Sequence, residues 1–244
     1  MLNSITIFPG IDKDGAREPF ERVILRPREI YAIVGNTGSG KSRFISDIEQ
    51  IADSDTVTKR RVVVDGALDN GSIAFLGQSM RFVLDCTVEE FIRLHQRCYN
   101  GDERIAGCTA RSVLEAANSI ASERLYPGAL LGSLSGGQSR ALMIAGISVI
   151  SNSRVVLIDE IENAGIDKSR ALELLMSRDK LVMIVTHDPH TALIADKRIV
   201  IRNGAVKNVL DTTETERESY ARLDAAYRLI TNMQFKLRNG EELC

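Results

Sequence analysis

Short apolar runs alternate with segments of helical periodicity along most of this chain. Strand-like runs stand at residues 4–8, 22–25, 30–34, 61–64, 72–76, 154–158, 181–185 and 198–201. The later runs are continuous and rich in Val and Ile, the pattern of parallel strands covered on both faces. Between them, apolar residues recur at helical spacing over 41–51, 88–96, 110–121, 136–149 and 168–176. Strands alternating with helices predict an α/β sheet. Residues 87–131 carry helices and loops but no good strand, which predicts a helical subdomain inserted into the α/β core. After Thr212 the chain turns polar, with Glu214, Glu216 and Glu218 first, and then periodic. Tyr220, Leu223, Tyr227 and Ile230 fall on one helical face. The expected division is a domain over 1–210 and a C-terminal helical extension over 211–244. No internal repeat is present, which excludes a tandem duplication.

Composition narrows the class. The chain has 244 residues, 44% hydrophobic and 26% charged, enough to bury a core and unlike a disordered chain. Lys plus Arg is 31 against 33 for Asp plus Glu, so no basic footprint for nucleic acid is present and no such partner is expected. The one basic run, Lys59-Arg60-Arg61, reads as a solvated strand edge. The four cysteines, Cys86, Cys98, Cys108 and Cys244, form no C-x-x-C pair and match no zinc spacing, which fits a reduced, cytoplasmic chain. Residues 1–5 lack the basic and apolar regions of a signal peptide. The longest nearly apolar stretch, 141–150, is far short of the roughly 20 residues that cross a bilayer.

The chemistry begins at Gly35-Asn36-Thr37-Gly38-Ser39-Gly40-Lys41-Ser42, which matches G-x-x-x-x-G-K-[ST] between a strand and a helix. Glycines let backbone N–H groups turn toward a nucleotide's β-phosphate at a helix N-terminus. Lys41 supplies charge to the β- and γ-phosphates, and the Ser42 hydroxyl ligates Mg²⁺. Downstream, residues 154–158 form an apolar strand ending in Asp159-Glu160. Carboxylates at that end lie where ligands bind in open α/β sheets. Asp159 is expected to hold Mg²⁺, and Glu160 to orient or deprotonate the attacking water.

Leu134-Ser135-Gly136-Gly137-Gln138 is similar to the signature of the ATP-binding cassette (ABC) ATPases. Over residues 5–210 other motifs follow in that family's order. Gln78 resembles the Q-loop glutamine, a catalytic and Mg²⁺-binding position. Asp167 resembles the D-loop aspartate, and His187 in Thr186-His187-Asp188 resembles the switch histidine. Residues 195–204 resemble the segment after that histidine. The resemblance implies a P-loop NTPase fold of ABC type, a parallel-sheet core with an antiparallel β subdomain and the inserted helices. It also implies a head-to-tail dimer, in which Ser135, Gly136, Gly137 and Gln138 of one cassette cap the ATP held by the other. A side chain at Gly137 would then meet the partner's γ-phosphate. Adenine in this family stacks on an aromatic residue upstream of the phosphate loop; Phe8 is the candidate and Phe20 its rival.

Three features depart from the family's usual form. Ile161 stands where proline usually follows the glutamate, as in chromosome-maintenance and repair ATPases. The stretch from Asp159 to Asp167 is one residue longer than in transporters. Arg140 stands one place earlier than the usual arginine. The span from Lys41 to Leu134 has no room for long coiled coils, and Thr87-Val88-Glu89-Glu90-Phe91 resembles transporter cassettes. The leading expectation is the ATPase subunit of a multi-subunit transporter, on the cytoplasmic face of a membrane-spanning partner. The alternative is a soluble ATPase that remodels or activates a partner protein or metalloenzyme.

Overall fold

A computed structural model describes residues 2–68, 71–78, 82–100, 109–161, 165–176, 179–238 and 240–243. Two sheets organise it. A three-stranded antiparallel sheet has β1 (Leu2–Phe8) between β2 (Val23–Leu25) and β4 (Arg61–Gly66). The main sheet has six strands in the order β5-β6-β7-β3-β8-β9. These are β3 (Ile30–Val34), β5 (Ile73–Leu76), β6 (Val155–Asp159), β7 (Leu181–Val185), β8 (Lys197–Arg202) and β9 (Ala205–Asp211). All neighbours in it are parallel except β8 and β9. β7 is buried at every residue, as a run of Leu, Val, Met and Ile covered on both faces requires.

One face of the main sheet packs with the antiparallel sheet and α1 (Lys41–Glu49), through Ile5, Leu25, Phe44, Ile48 and Leu157. The other packs on α4 (Gly136–Val149) and α5 (Lys168–Met176), through Ile144, Ile158, Leu172 and Ile184. α2 (Val88–Asn100) and α3 (Ala110–Ile120) bury Val88, Ile92, Val113 and Ala117 against Leu142 and Ala145 of α4. A single turn of 3₁₀ helix, Leu131–Ser133, leads into α4. α6 (Pro189–Ile194) is capped by Asp188, and α7 (Glu214–Arg238) lies on it. His190 of α6 stacks on Tyr227 of α7, ring centroids 4.4 Å apart, and faces Tyr220 at 5.1 Å.

The fold corrects three readings. β9 was not expected, because after Val206 every residue of the strand is exposed and no apolar run marks it. Its signal is the Asn203-Gly204 turn, with φ of 54° and 82°, the pair a tight hairpin favours. α6 was missed for its length of six residues. The Lys59–Arg61 run is a solvated edge only in part: Lys59 and Arg61 are exposed, but Arg60 is fully buried. Its guanidinium donates to Glu18 at 2.9 and 2.8 Å and to Asp47 at 2.9 Å. Thr58 adds a 2.8 Å bond to Asp47. Two carboxylates make this burial tolerable, and neither is near Arg60 in sequence. Cys86 and Cys98 are free thiols; Cys108 and Cys244 lie outside the described residues.

Candidate functional site

The C-terminal ends of four adjacent parallel strands build the site. β3 delivers the phosphate loop, β7 delivers His187, β6 delivers Asp159 and Glu160, and β5 delivers Gln78. Two glycines of the loop are dictated by geometry. A Cβ on Gly35 would lie 2.2 Å from the Ile201 carbonyl oxygen, and one on Gly40 would lie 2.9 Å from the Gly204 Cα. Both have positive φ, 153° and 107°, which glycine adopts without strain. Gly40 precedes α1, and no side chain caps that helix. Its first N–H groups are therefore open to an anion.

Lys41 is 6% exposed, and its ammonium donates to the Gly35 carbonyl at 2.8 Å and the Asn36 carbonyl at 3.1 Å. The Ser42 hydroxyl stands 3.5 Å from an Asp159 oxygen. Burial, then the neighbouring Glu160 charge, raises the Asp159 carboxyl above its ordinary value, against the pull of Ser42, Lys41 and Arg140. A hydroxyl and a carboxylate side by side are hard oxygen donors, the set Mg²⁺ takes.

Glu160 is the point of convergence. The Gln78 amide donates to its carboxylate at 2.6 Å, and His187 Nε2 lies 3.7 Å from its other oxygen. Its backbone is left-handed, φ 59°, a conformation that costs a non-glycine residue about 1–2 kcal/mol. Its N–H donates to the Val185 carbonyl at 3.1 Å.

These groups line one cleft of about 730 Å³, in which Thr37, Gly38, Gly40, Lys41 and Ser42 of the loop meet Gln78, Asp159, Glu160 and His187. Asn36 and Ser39 line a smaller hollow on the far side of the loop, with Gly35. Ile11, Lys13 and Val57 also line the cleft. Neither aromatic candidate lines it. The Phe8 ring is covered by the Arg61 guanidinium, 4.6 Å from its centroid, and Phe20 packs against the core. Val57, 68% exposed, offers the cleft an apolar surface instead.

The signature lies outside this cleft. Ser135 caps α4 through the Gln138 N–H at 3.3 Å, and the Gln138 side chain returns a bond from the Ser135 N–H at 2.9 Å. Gly136 faces open space, whereas a Cβ on Gly137 would lie 2.8–3.0 Å from backbone atoms of Gly165. The expectation for Gly137 is therefore corrected: a side chain there meets its own chain first. Asp167 accepts from the Arg170 N–H at 3.1 Å at the start of α5. It too is outside the cleft. Residues 162–164 of the lengthened segment lie outside the described residues; Ile161 is fully buried.

Sequence reasoning missed one residue at the site. Arg140, 2% exposed on α4, donates to the carbonyls of Gly77 and Gln78, both at 3.0 Å, and to the carbonyl of Glu160. Its signal was its departure from the usual position.

The family model described as ABC transporter matches residues 22–163. An uncharacterized ABC transporter ATP-binding protein of Methanocaldococcus jannaschii is 44% identical over 99% of this chain and 95% of its own length. The lipoprotein-releasing system ATP-binding protein LolD of Bordetella pertussis is 30% identical over 73% of this chain and 82% of its own. Among solved structures, CbiO1 of Clostridium perfringens, part of a CbiONQ transporter complex, superposes with a TM-score of 0.63 at 20% identity, covering 95% of this chain and 99% of that one. The ATP-binding cassette MJ0796, in a dimeric post-hydrolysis state bound to ADP and phosphate, gives 0.61 at 21% identity over 86% and 99%.

Proposed function

This chain belongs to the ABC transporter family of ATP-binding, ATP-hydrolysing proteins, and we propose that it works as one half of a cassette dimer that drives a membrane-spanning partner. The carrying observation is a site that is half built. Glu160 sits between Gln78 and His187 beside the phosphate loop, while Ser135 and Gly136 are exposed outside the cleft. A second copy placed head-to-tail brings its Ser135–Gly137 turn over the γ-phosphate.

In this reading the open N–H groups of α1 and the Lys41 ammonium hold the β- and γ-phosphates. Lys41 exchanges its loop carbonyls for phosphate oxygens. Ser42 and Asp159, with Gln78, hold Mg²⁺, which screens the phosphate charge when bound. Glu160 accepts a proton from the attacking water, a role worth about 10²–10⁴ in rate. Gln78 and His187 orient the Glu160 carboxylate and the γ-phosphate. The adenine lies toward Ile11 and Val57.

Among the described residues no helix is long and apolar enough to cross a membrane. In this reading the membrane partner docks at residues 83–84, between Gln78 and α2. Val83 is 96% exposed and Leu84 47%, two apolar side chains next to the start of α2. Docking there ties the partner to Gln78 and through it to Glu160. The protein then sits on the cytoplasmic face.

Replacing Glu160 by Gln tests the core of this reading. Glu160→Gln keeps the shape of the side chain and removes the base. ATP hydrolysis is expected to fall about 100-fold or more, and a dimer held by ATP to accumulate in sedimentation with ATP and Mg²⁺. Wild-type turnover, or a mutant that stays monomeric at high concentration, contradicts it.

A further inference from the structure

The geometry points to Arg140 as the residue that positions the general base, mounting Glu160 and Gln78 on the helix that begins at the signature. The inference rests on the reading of Glu160 as that base.

Arg140 is the fifth residue of α4, one turn from the Ser135–Gly136 end. One Nη donates to Gly77 and Gln78, and the other to Glu160. A planar guanidinium thus bridges the chain leaving β5 to the chain leaving β6. Those two chains carry the donor and the acceptor of the 2.6 Å bond between Gln78 and Glu160. Both ends of that bond are held by one side chain.

Glu160 needs holding. Its left-handed backbone persists only where the surroundings over-determine it. Val185 takes its N–H, and Arg140 occupies its carbonyl. Without the guanidinium, the strained backbone at Glu160 is held by the Val185 bond and the buried Ile161 but no longer at its carbonyl by Arg140. A turn toward the extended region carries the carboxylate away from Gln78 and from the γ-phosphate position. These hydrogen bonds of Arg140 go to Gly77, Gln78 and Glu160 and not to the phosphate loop, so binding of ATP is separable from its use, although the Arg140 charge also acts on Asp159.

The same helix has two ends with two jobs. Ser135 and Gly136 face outward; Arg140 faces the base.

A lysine cannot reproduce this. It offers a point charge on a flexible stem, where arginine offers several donors in a fixed plane. Arg140→Gln is expected to lower single-turnover hydrolysis about 100-fold, the lower part of the range for losing a base. Arg140→Lys should fall between the two. ATP affinity, measured by calorimetry, should stay within about twofold of wild type. The deciding measurement is a double-mutant cycle: in a Glu160→Gln background, Arg140→Gln should change the residual rate less than about threefold. The same loss of rate in both backgrounds overturns the inference, because Arg140 then acts by another route. Wild-type turnover in Arg140→Gln overturns it as well. If Arg140→Gln does not fold by circular dichroism, Arg140→Lys carries the same cycle. Failure of Glu160 as base shows separately, as full activity in Glu160→Gln alone.

Discussion

Two helices of this protein begin at glycine-bearing turns, and they are finished in opposite ways. α1 starts after Gly40 with no side-chain cap. α4 starts at Ser135 with a reciprocal box closed by Gln138. The first leaves its N–H groups for something that is not protein; the second has satisfied much of its own need and is stable alone. In the α1 turn Gly35 lies against Ile201 and Gly40 against Gly204, with Gly38 open; in the α4 turn Gly137 lies against Gly165 and Gly136, at the very start of the helix, opens to space. One turn is a socket and the other is a tool meant for a socket elsewhere. This asymmetry within one chain supports a site assembled from two.

Removing the cation from the socket should have the largest effect. Lys41→Ala deletes the buried ammonium that faces the phosphates in the proposed site. Charge-assisted bonds are worth about 1.5–3 kcal/mol each. Two of them make an expected loss of ATP affinity on the order of 100-fold or more. Unchanged affinity by calorimetry would erase the contrast with α4.

Gly136→Asp attacks the tool. The added side chain meets nothing in its own chain, and a carboxylate there would face a γ-phosphate in the dimer. Affinity for ATP should stay within about twofold of wild type, while dimer formation and hydrolysis are lost. Mixing it with excess Lys41→Ala protein should restore about one working site per heterodimer, built from one mutant's loop and the other's signature. Loss of ATP binding by a folded Gly136→Asp monomer would place the signature in its own site. Gly137→Asp is a poorer probe, because Gly165 makes it a packing defect.

The two turns differ also in how far the sequence discloses them. The phosphate loop, Asp159 and Glu160 are read from local strings, because a strand end, a glycine turn and a carboxylate must be adjacent to do their chemistry. The signature is equally local in form, but its distance from the cleft is not. Nothing in Gly136-Gly137 says that one faces solvent and the other Gly165. Arg140 and Arg60 stay hidden for the same reason. Their partners, Glu160 with Gly77 and Glu18 with Asp47, are brought close only by the stacking of strands and loops. Phe8 fails oppositely: an aromatic residue in the right stretch of sequence is covered by Arg61 across the β1–β4 pair. β3, β6 and β7 are legible because both faces are covered. β9 is not, since every residue after Val206 is exposed.

The socket should also be sensitive to pH in a way the tool is not. Asp159 is raised by burial and by Glu160, and a proton on it competes with Mg²⁺. Affinity for Mg²⁺ should therefore be full at neutral pH and fall as pH drops through a value above the ordinary one for an aspartate. Asp159→Asn should bind Mg²⁺ weakly and flatten that profile. An unchanged profile in Asp159→Asn would move the metal elsewhere.

The smallest effect is the most discriminating for α4. Ser135 has two roles that coincide in one hydroxyl: it caps the Gln138 N–H within the chain, and in the proposed dimer it reaches the partner's nucleotide. Ser135→Ala removes both and should cost about 1 kcal/mol of stability, about 2–4 °C in Tm for a domain of this size. Ser135→Gly removes the hydroxyl too, but glycine at a cap costs only a few tenths of a kcal/mol. The pair separates the roles. If the hydroxyl works only as a cap, hydrolysis in Ser135→Gly should stay near wild type. If it also serves the opposite site, Ser135→Gly and Ser135→Ala should lose dimer formation equally, although one is nearly as stable as wild type. Equal loss of dimer with unequal loss of stability is the outcome a half-built site requires, and a loss that tracks stability instead reduces the signature to an ordinary helix start.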